Sequence, residues 1–164
     1  MRWLLLAVAL LTGCSSRPDP QVVDRVDLNR YQGTWYEIAR FDMWFQRGMT
    51  GCTATYTLRP DGRITVLNAG MRDGQRKTAE GVAWVPDPGQ PGKLKVQFFW
   101  PFSGAYWILA LDPEYRWVVI GHPSREYLWY LARDPVVTPE VRARMDAVAR
   151  ENGYDLTPLI TAPP

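Results

Sequence analysis

The chain has 164 residues, of which 46% are hydrophobic and 13% aromatic, and its formal net charge is +2. This length suits one domain with a buried core of its own. Basic and acidic residues are nearly balanced and no basic stripe stands out, so the composition gives no support for a nucleic-acid partner.

The N-terminus has the pattern of an export signal. Arg2 precedes an uncharged apolar run at residues 3–11, which is too short to cross a bilayer as a helix. The run ends in Leu11-Thr12-Gly13-Cys14, which resembles the lipobox of bacterial lipoproteins, where the cysteine is acylated and becomes the first residue. We expect residues 1–13 to be a signal peptide and Cys14 to carry lipid, which leaves Cys52 without a disulfide partner. An ordinary signal peptide with an unrelated cysteine is the alternative.

The rest of the chain has the pattern of an all-β domain. Residues 14–27 are polar and contain two prolines, which predicts a flexible tether ahead of a domain at 28–164 that opens with a helical turn at 28–32. Runs rich in β-branched and aromatic residues then alternate with turn signals. They predict eight strands, at 34–41, 52–58, 63–70, 78–85, 93–99, 105–111, 116–121 and 127–133. Short connections between successive strands favour an antiparallel up-and-down barrel.

One helix is predicted after the strands. Thr138 is a candidate N-cap with Pro139 at the first helical position, and Asn152 and Gly153 supply a stop signal. Between them Val141, Met145, Val148 and Ala149 recur at helical spacing. Such a lone amphipathic helix must lay its apolar side on the outside of the barrel.

Three motifs lie at matching places in this strand order. Gly33-Thr34-Trp35 begins the first strand, Asp112-Pro113-Glu114-Tyr115 joins strands six and seven, and Leu131-Ala132-Arg133-Asp134-Pro135 ends strand eight. Together they resemble the conserved regions of the lipocalins, in the apolipoprotein D-like branch that includes bacterial lipoproteins. The resemblance implies an eight-stranded antiparallel calyx with one C-terminal helix packed outside.

The motif residues are expected to close one end of the barrel. All three motifs belong to the same end, so Trp35 can plug it while the Arg133 guanidinium stacks on the indole. Asp112 and the backbone near it are expected to accept hydrogen bonds from Arg133. We interpret Gly33, Trp35, Asp112 and Arg133 as structural residues that bind no ligand.

The resemblance also sets which side chains point inward. Strand one is expected to turn Trp35, Glu37, Ala39 and Phe41 inward, and strand seven Trp117, Val119 and Gly121. Many inward positions are Ala or Gly, which favours a cavity over a filled interior. The predicted ligand-contacting residues of the cavity and its rim are Glu37, Ala39, Phe41, Trp44, Phe45, Tyr56, Asn68, Phe98, Trp100, Tyr106 and Trp129. Glu37 and the tyrosine hydroxyls serve either a ligand headgroup or an internal polar network.

These features predict a ligand and a location. We expect a fatty acid or (lyso)phospholipid in the barrel, no cofactor, no metal and no catalytic residue. Arg47, Arg72, Arg76 and Arg125 at the rim suit a phosphate or carboxylate, or they are solubilising charge. By the resemblance to lipoprotein sorting, Ser15 and Ser16 favour the outer membrane, with the domain in the periplasm and a homodimer as an open option.

Two other functions stay open at this stage. An enzyme acting on a lipid or isoprenoid would need His122 beside Ser124 or Cys52, with an orienting carboxylate. An interaction lipoprotein would have a filled barrel and use Trp44, Phe45, Trp100 and Phe102 as a protein-binding or dimer patch.

Overall fold

The computed structural model describes residues 17–162. The predicted signal peptide and Cys14 lie outside the described residues. In chain order the elements are α1 (Leu28–Tyr31), β1 (Gly33–Phe41), β2 (Thr50–Leu58), β3 (Ile64–Arg72), β4 (Gln75–Trp84), β5 (Lys93–Phe99), β6 (Phe102–Leu111), β7 (Trp117–Gly121), β8 (Leu128–Ala132), α2 (Pro139–Glu151) and β9 (Leu159–Thr161).

The strands form a closed antiparallel barrel. Strands β2 to β8 pair in chain order, β8 pairs with β1, and β1 pairs back with β2. The predicted up-and-down barrel is therefore confirmed, and closure satisfies the backbone groups that an open sheet leaves at its edges. The sequence did not predict β9, which pairs with the last three residues of β1 beyond its pairing with β2, with Arg40 opposite Ile160.

The helix α2 lies outside the barrel, as predicted. The Thr138 side chain accepts the N–H of Val141 and caps its start, and Asn152 ends it. Met145 and Ala149 are fully buried against the barrel wall, together with Leu109, Val119 and Tyr130. A second cluster fills the lower interior of the barrel around Trp35, Val66, Ile108 and Leu131. The protein thus has two cores, one on each side of the sheet.

Two β-bulges decide which side chains belong to which core. The pairing of β1 with β8 shifts register between Glu37 and Ala39, and the pairing of β6 with β7 shifts between Ile108 and Ala110. Each bulge inserts one extra residue and reverses the alternation beyond it. Beyond the β1 bulge, Arg40 is 2% exposed and bonded to the inward Glu37.

The predicted inward orientation of Ala39 and Phe41 is therefore wrong. Both belong to the outer core, and the Phe41 ring lies 6.2 Å from the ring of Tyr154. The orientation predicted for β7 is wrong as well. Trp117 and Val119 face the outer core, while Val118 and Ile120 fill the interior. Gly121 lies against Tyr154 and Leu109, which are also members of the outer core.

The described part of the predicted tether lies against the barrel. Gln21 N–H donates to Asn152 Oδ1, Val23 N–H donates to the carbonyl of Ile108, and Asp27 N–H donates to Tyr115 Oη. A Cβ on Gly92 would lie 2.5 Å from the Val23 carbonyl, so this position needs glycine for the close approach. In residues 17–27 these backbone contacts replace the mobility that a polar, proline-containing stretch suggests.

Trp35 and Arg133 close one end of the barrel, as the motifs predict. The Arg133 guanidinium lies 4.0 Å from the Trp35 ring centroid and donates to the carbonyls of Arg30, Gln32 and Thr34. The Trp35 indole N–H donates to the carbonyl of Tyr31. One cation therefore ties α1, β1 and β8 together at this closed end.

Gly33 and Asp112, the other two motif residues, each have a different structural role. Gly33 has a φ of +93°, and a Cβ there would lie 3.2 Å from Arg133 Nη1, so glycine suits both the backbone and the space. The Asp112 carboxylate does not pair with Arg133 as expected. It accepts two bonds from Arg116, from Nε at 2.9 Å and Nη2 at 3.1 Å, which lowers its pKa. Arg133 donates to the backbone carbonyl of Tyr115, which confirms the expected bond to the backbone near Asp112.

Replacing Arg133 tests this closure. Arg133→Ala removes the stacking contact and leaves several carbonyls without a donor, so we expect a loss of about 2–4 kcal/mol in the free energy of unfolding by urea titration. Arg144→Ala, on the exposed side of α2, is the matched control and should stay within about 0.5 kcal/mol of the parent. Equal effects of the two substitutions would contradict the assigned role.

Candidate ligand-binding site

The upper half of the barrel interior is open to solvent. Ala54, Asn68 and Ala79 are direct neighbours across β2, β3 and β4, and therefore share one face of the sheet. Ala54 is buried in the interior core, whereas Asn68 and Ala79 are exposed. Inward-facing residues that remain exposed mark a cavity mouth, and we call this upper interior the calyx.

One side of the calyx wall is incomplete. Strand β4 pairs with β5 only at Val82, Ala83 and Trp84, so its upper part, from Gln75 to Gly81, is bonded on the β3 side alone. The ring of Phe98 covers Gly81, where an added Cβ would lie 2.8 Å from it. Above this contact, β4 continues past the end of β5 with no hydrogen-bonded neighbour on that side, and we call this unpaired edge the lateral gap.

A buried polar network holds the β1–β2 loop over the opposite side of the calyx. Glu37 and Arg40 form an ion pair with Nη1 2.5 Å from Oε1, and their side chains are 4% and 2% exposed. Gln46, from the loop, donates from Nε2 to Glu37 Oε2 and accepts the indole N–H of Trp129 on Oε1. Arg40 also donates to the carbonyls of Gln46 and Met49, so the loop is fastened from inside the barrel.

Cys52 lies beside this network and is buried. Burial, followed by the nearby Glu37 carboxylate, raises the pKa of the Cys52 thiol to about 11. The thiol is therefore protonated and poorly nucleophilic at neutral pH. The interpretation of Cys52 as a small apolar side chain of the interior fits this environment better than a catalytic role.

Three tyrosine hydroxyls form the polar floor of the calyx. The Tyr106 hydroxyl lies 2.7 Å from that of Tyr31 and 2.8 Å from that of Tyr56. Burial raises the pKa of all three well above the usual tyrosine range, so the floor is uncharged. The two bonds use two of the three hydroxyl protons. The third can be donated to an oxygen of a water or a ligand.

An aromatic series leads from the rim into the calyx. The Phe45 and Tyr127 rings are stacked with centroids 6.4 Å apart, and Tyr127 stacks on Trp129 at 6.2 Å. At the rim itself Trp44 is 78% and Trp100 86% exposed. The calyx is therefore lined by aromatic rings and has polar groups both at its floor and beside the β1–β2 loop.

The predicted site residues fall into four places. Asn68, Phe98, Tyr106 and Trp129 line the calyx, Glu37 and Tyr56 are buried in its polar groups, and Trp44, Phe45 and Trp100 form the rim. Ala39 and Phe41 lie outside the barrel and leave the set. Sequence reasoning missed Arg40 and Gln46. It missed Arg40 because no residue pattern indicates the bulge that turns this side chain inward. It also missed Tyr31, which a helical turn carries under the barrel.

His122 and Ser124 meet at the open end of the barrel, where the His122 ring lies 5.3 Å from the ring of Tyr127. His122 Nδ1 lies 2.8 Å from Ser124 Oγ and accepts the Ser124 backbone N–H, and burial lowers the His122 pKa. Ser124 borders an outer groove of about 670 Å³ that Arg125 and Tyr154 also line. In the described residues His122 has no hydrogen bond to a carboxylate, so the orienting group that a nucleophilic triad requires is missing there.

Residues 17–162 contain neither a metal-ligating cluster nor a membrane-spanning helix. No group of three or more His, Cys, Asp or Glu side chains there is placed to hold a metal ion. No helix within the same range is long and apolar enough to cross a membrane.

The buried ion pair should matter far more than an exposed one. Glu37→Gln leaves the Arg40 charge buried without its partner, and we expect a loss of about 3–5 kcal/mol in the free energy of unfolding. Asp42→Asn, which breaks the exposed Arg47–Asp42 pair of the same loop, should cost at most about 1 kcal/mol in the same denaturant titration. Similar losses for the two variants would refute the network.

The Cys52 thiol gives a pH-dependent signature. Because folding raises its pKa from 9.0 to about 11, the folded thiol keeps its proton where the unfolded one loses it. The stabilising contribution is therefore complete below the unfolded pKa and declines as the pH rises towards 11. Disulfide-exchange labelling at pH 8 should be slow in the folded protein and fast in denaturant. Cys52→Ser should remove the signal, and equal labelling rates before and after unfolding would contradict the prediction.

Comparison with known proteins places this geometry in a family. The family model described as a lipocalin-like domain matches residues 26–164. The Escherichia coli K12 protein named outer membrane lipoprotein Blc is 45% identical over 159 residues, covering 94% of this chain and 90% of that protein. Temperature-induced lipocalin-1 of Arabidopsis thaliana is 40% identical (91% and 85% covered), and rat apolipoprotein D 35% identical (88% and 80%).

Solved structures show the same fold at lower identity. Insecticyanin from the tobacco hornworm Manduca sexta superposes with a TM-score of 0.72 at 22% identity, covering 88% of this chain and 84% of that one. Lobster apocrustacyanin A1 gives 0.68 at 18% identity, with coverages of 82% and 78%. The closed barrel, the Trp35–Arg133 end and the matched domain together show that this chain belongs to the lipocalin family.

Proposed function

We propose that this protein is a lipid-anchored lipoprotein of the outer membrane that holds one fatty acid or lysophospholipid in its calyx. The observation that carries the proposal is the solvent access of inward-facing apolar and aromatic side chains, including Ala79, Phe98 and Trp129. An eight-stranded barrel has room for one small ligand. A single acyl chain matches both that width and the apolar lining.

The location rests on the N-terminus and on relatives. Leu11-Thr12-Gly13-Cys14 resembles a lipobox, and the bacterial relatives at 41–45% identity are named outer membrane lipoproteins. We propose acylation at Cys14, with the barrel on the periplasmic side of the membrane. Transport, storage and scavenging of lipid are all compatible with a non-catalytic carrier of this kind.

Three of the four rim arginines that could bind the polar end of a ligand are bonded to other groups of the chain. Arg125 donates to the carbonyls of Asn152 and Pro18 on the outer surface, and Arg47 pairs with Asp42. Arg72 donates to the carbonyl of Phe45. Arg76, the fourth, shares the outward face of β4 with Thr78, so we assign no rim arginine to a ligand headgroup.

Ligand titration with a paired substitution tests the proposal. Ala79→Phe places a ring in the calyx, whereas Thr78→Phe places the same ring on the outside of β4. Using residues 15–164, we expect oleate and a lysophospholipid to quench tryptophan fluorescence saturably in the parent and in Thr78→Phe. Ala79→Phe should weaken binding about tenfold or more, which corresponds to about 1.4 kcal/mol.

Two results would contradict the proposal. If neither lipid produces a saturable change in the parent protein, the calyx is not a lipid site. If Ala79→Phe binds lipid as tightly as Thr78→Phe, the ligand does not lie in the calyx beside Ala79.

A further inference from the structure

The exposed aromatic residues gather at the open end of the barrel. Trp44 and Phe45 are 78% and 42% exposed on the β1–β2 loop, and Phe99, Trp100 and Phe102 are 77%, 86% and 77% exposed on the β5–β6 hairpin. We call these five residues the aromatic rim. Large apolar side chains exposed together at this level mark a contact surface.

The two parts of the aromatic rim stand on opposite sides of the mouth. In the closed ring of eight strands, the β5–β6 pair is four strands away from the β1–β2 pair. Both connections lie at the open end, since alternate connections of an up-and-down barrel share an end. A flat surface that touches both parts therefore covers the mouth, and one that touches a side of the barrel does not.

The N-terminal segment leaves the domain at the same end. Arg17 Nη1 donates to the Gly153 carbonyl, and Arg125 Nη2 donates to the carbonyl of Pro18. Arg125 belongs to the β7–β8 connection, which is another connection of the open end. From there residues 17–27 run along the barrel wall to the closed end, where Asp27 contacts Tyr115. Three peptide units separate Arg17 from Cys14, which gives a reach of at most about 11 Å.

Charge at the open end suits an anionic lipid surface. The β3–β4 hairpin carries Arg72, Arg76 and Lys77 around the single Asp73. Basic side chains near a membrane are attracted to anionic headgroups, and tryptophan is favoured at the interface between headgroups and acyl chains.

From these observations we propose that the aromatic rim docks on the bilayer that carries the Cys14 anchor, with the mouth of the calyx facing the lipid. The proposal rests on the proposed acylation of Cys14, which sets how far the domain can stand from the membrane. Docking brings the lateral gap between β4 and the β5–β6 hairpin to the level of the lipids. A lipid then passes between bilayer and calyx without crossing water.

Fluorescence quenching by brominated lipids tests the orientation. The lipidated protein is placed in nanodiscs of phosphatidylethanolamine and phosphatidylglycerol, with or without bromine on the acyl chains. Among the described tryptophans, Trp44 and Trp100 are the exposed ones. We expect bromine to quench the wild-type protein and most of that quenching to disappear in the Trp44→Phe/Trp100→Phe variant, which keeps the rim aromatic but removes the two reporters.

A second pair of variants separates docking from the mere presence of an anchor. Phe99→Ser/Phe102→Ser removes apolar rim surface and should reduce the quenching of Trp100. Val136→Ser changes a side chain that is equally exposed, at 79%, but follows β8 at the closed end, and it should leave quenching unchanged. Circular dichroism of each variant confirms that the barrel is folded.

Two results would overturn the proposal. The first is wild-type quenching no larger than that of the Trp44→Phe/Trp100→Phe variant, which would mean that the mouth faces away from the membrane. The second is burial of the rim by another copy of the chain, seen as a dimer in each nanodisc and tryptophans shielded from both bromine and aqueous iodide. Oleate titration of the same variants is scored separately, so a carrier without docking and docking without a ligand give different results.

Discussion

Strand β1 is the constraint on which both the calyx and the outer core depend. It pairs with β8 and β2 to close the barrel and also pairs with β9 beyond the end of its pairing with β2. The bulge between Glu37 and Ala39 lets one strand serve both cores. Before it Trp35 and Glu37 point inward, and after it Arg40 points inward while Phe41 packs against Tyr154. A regular strand would have put Phe41 in the calyx and the Arg40 charge outside it.

The two ends of the barrel use cations in opposite ways. At the closed end, Arg133 stacks on Trp35 and donates hydrogen bonds to backbone carbonyls. Its guanidinium is fully used in closing the barrel. At the open end, Arg40 is neutralised by Glu37 and anchors the β1–β2 loop from within. The first arrangement excludes water from the core. The second keeps an ordered loop above a cavity without filling that cavity.

The path of the N-terminal segment links the fold to its orientation. Residues 17–27 pass along the barrel wall through contacts with Asn152, Ile108 and Tyr115. Because this segment is bound along its length, the chain leaves the domain beside the mouth of the calyx and not at the closed end. A lipid anchor at Cys14 would therefore hold the domain by its open end. The aromatic rim and the lateral gap lie on that same side of the molecule.

The sequence alone determined the number and order of the eight strands, the outer helix with its Thr138 cap, and the closure by Trp35 and Arg133. These features depend on local patterns: alternation, capping residues and motifs at the ends of strands. Only the tertiary structure decided that Ala39 and Phe41 leave the calyx, that Arg40 and Gln46 join Glu37, and that Asp112 pairs with Arg116. The physical reason is that a β-bulge reverses the direction of every side chain beyond it and has no signature in residue type. A polar, proline-containing segment likewise becomes ordered only when a barrel wall offers its backbone hydrogen-bond partners.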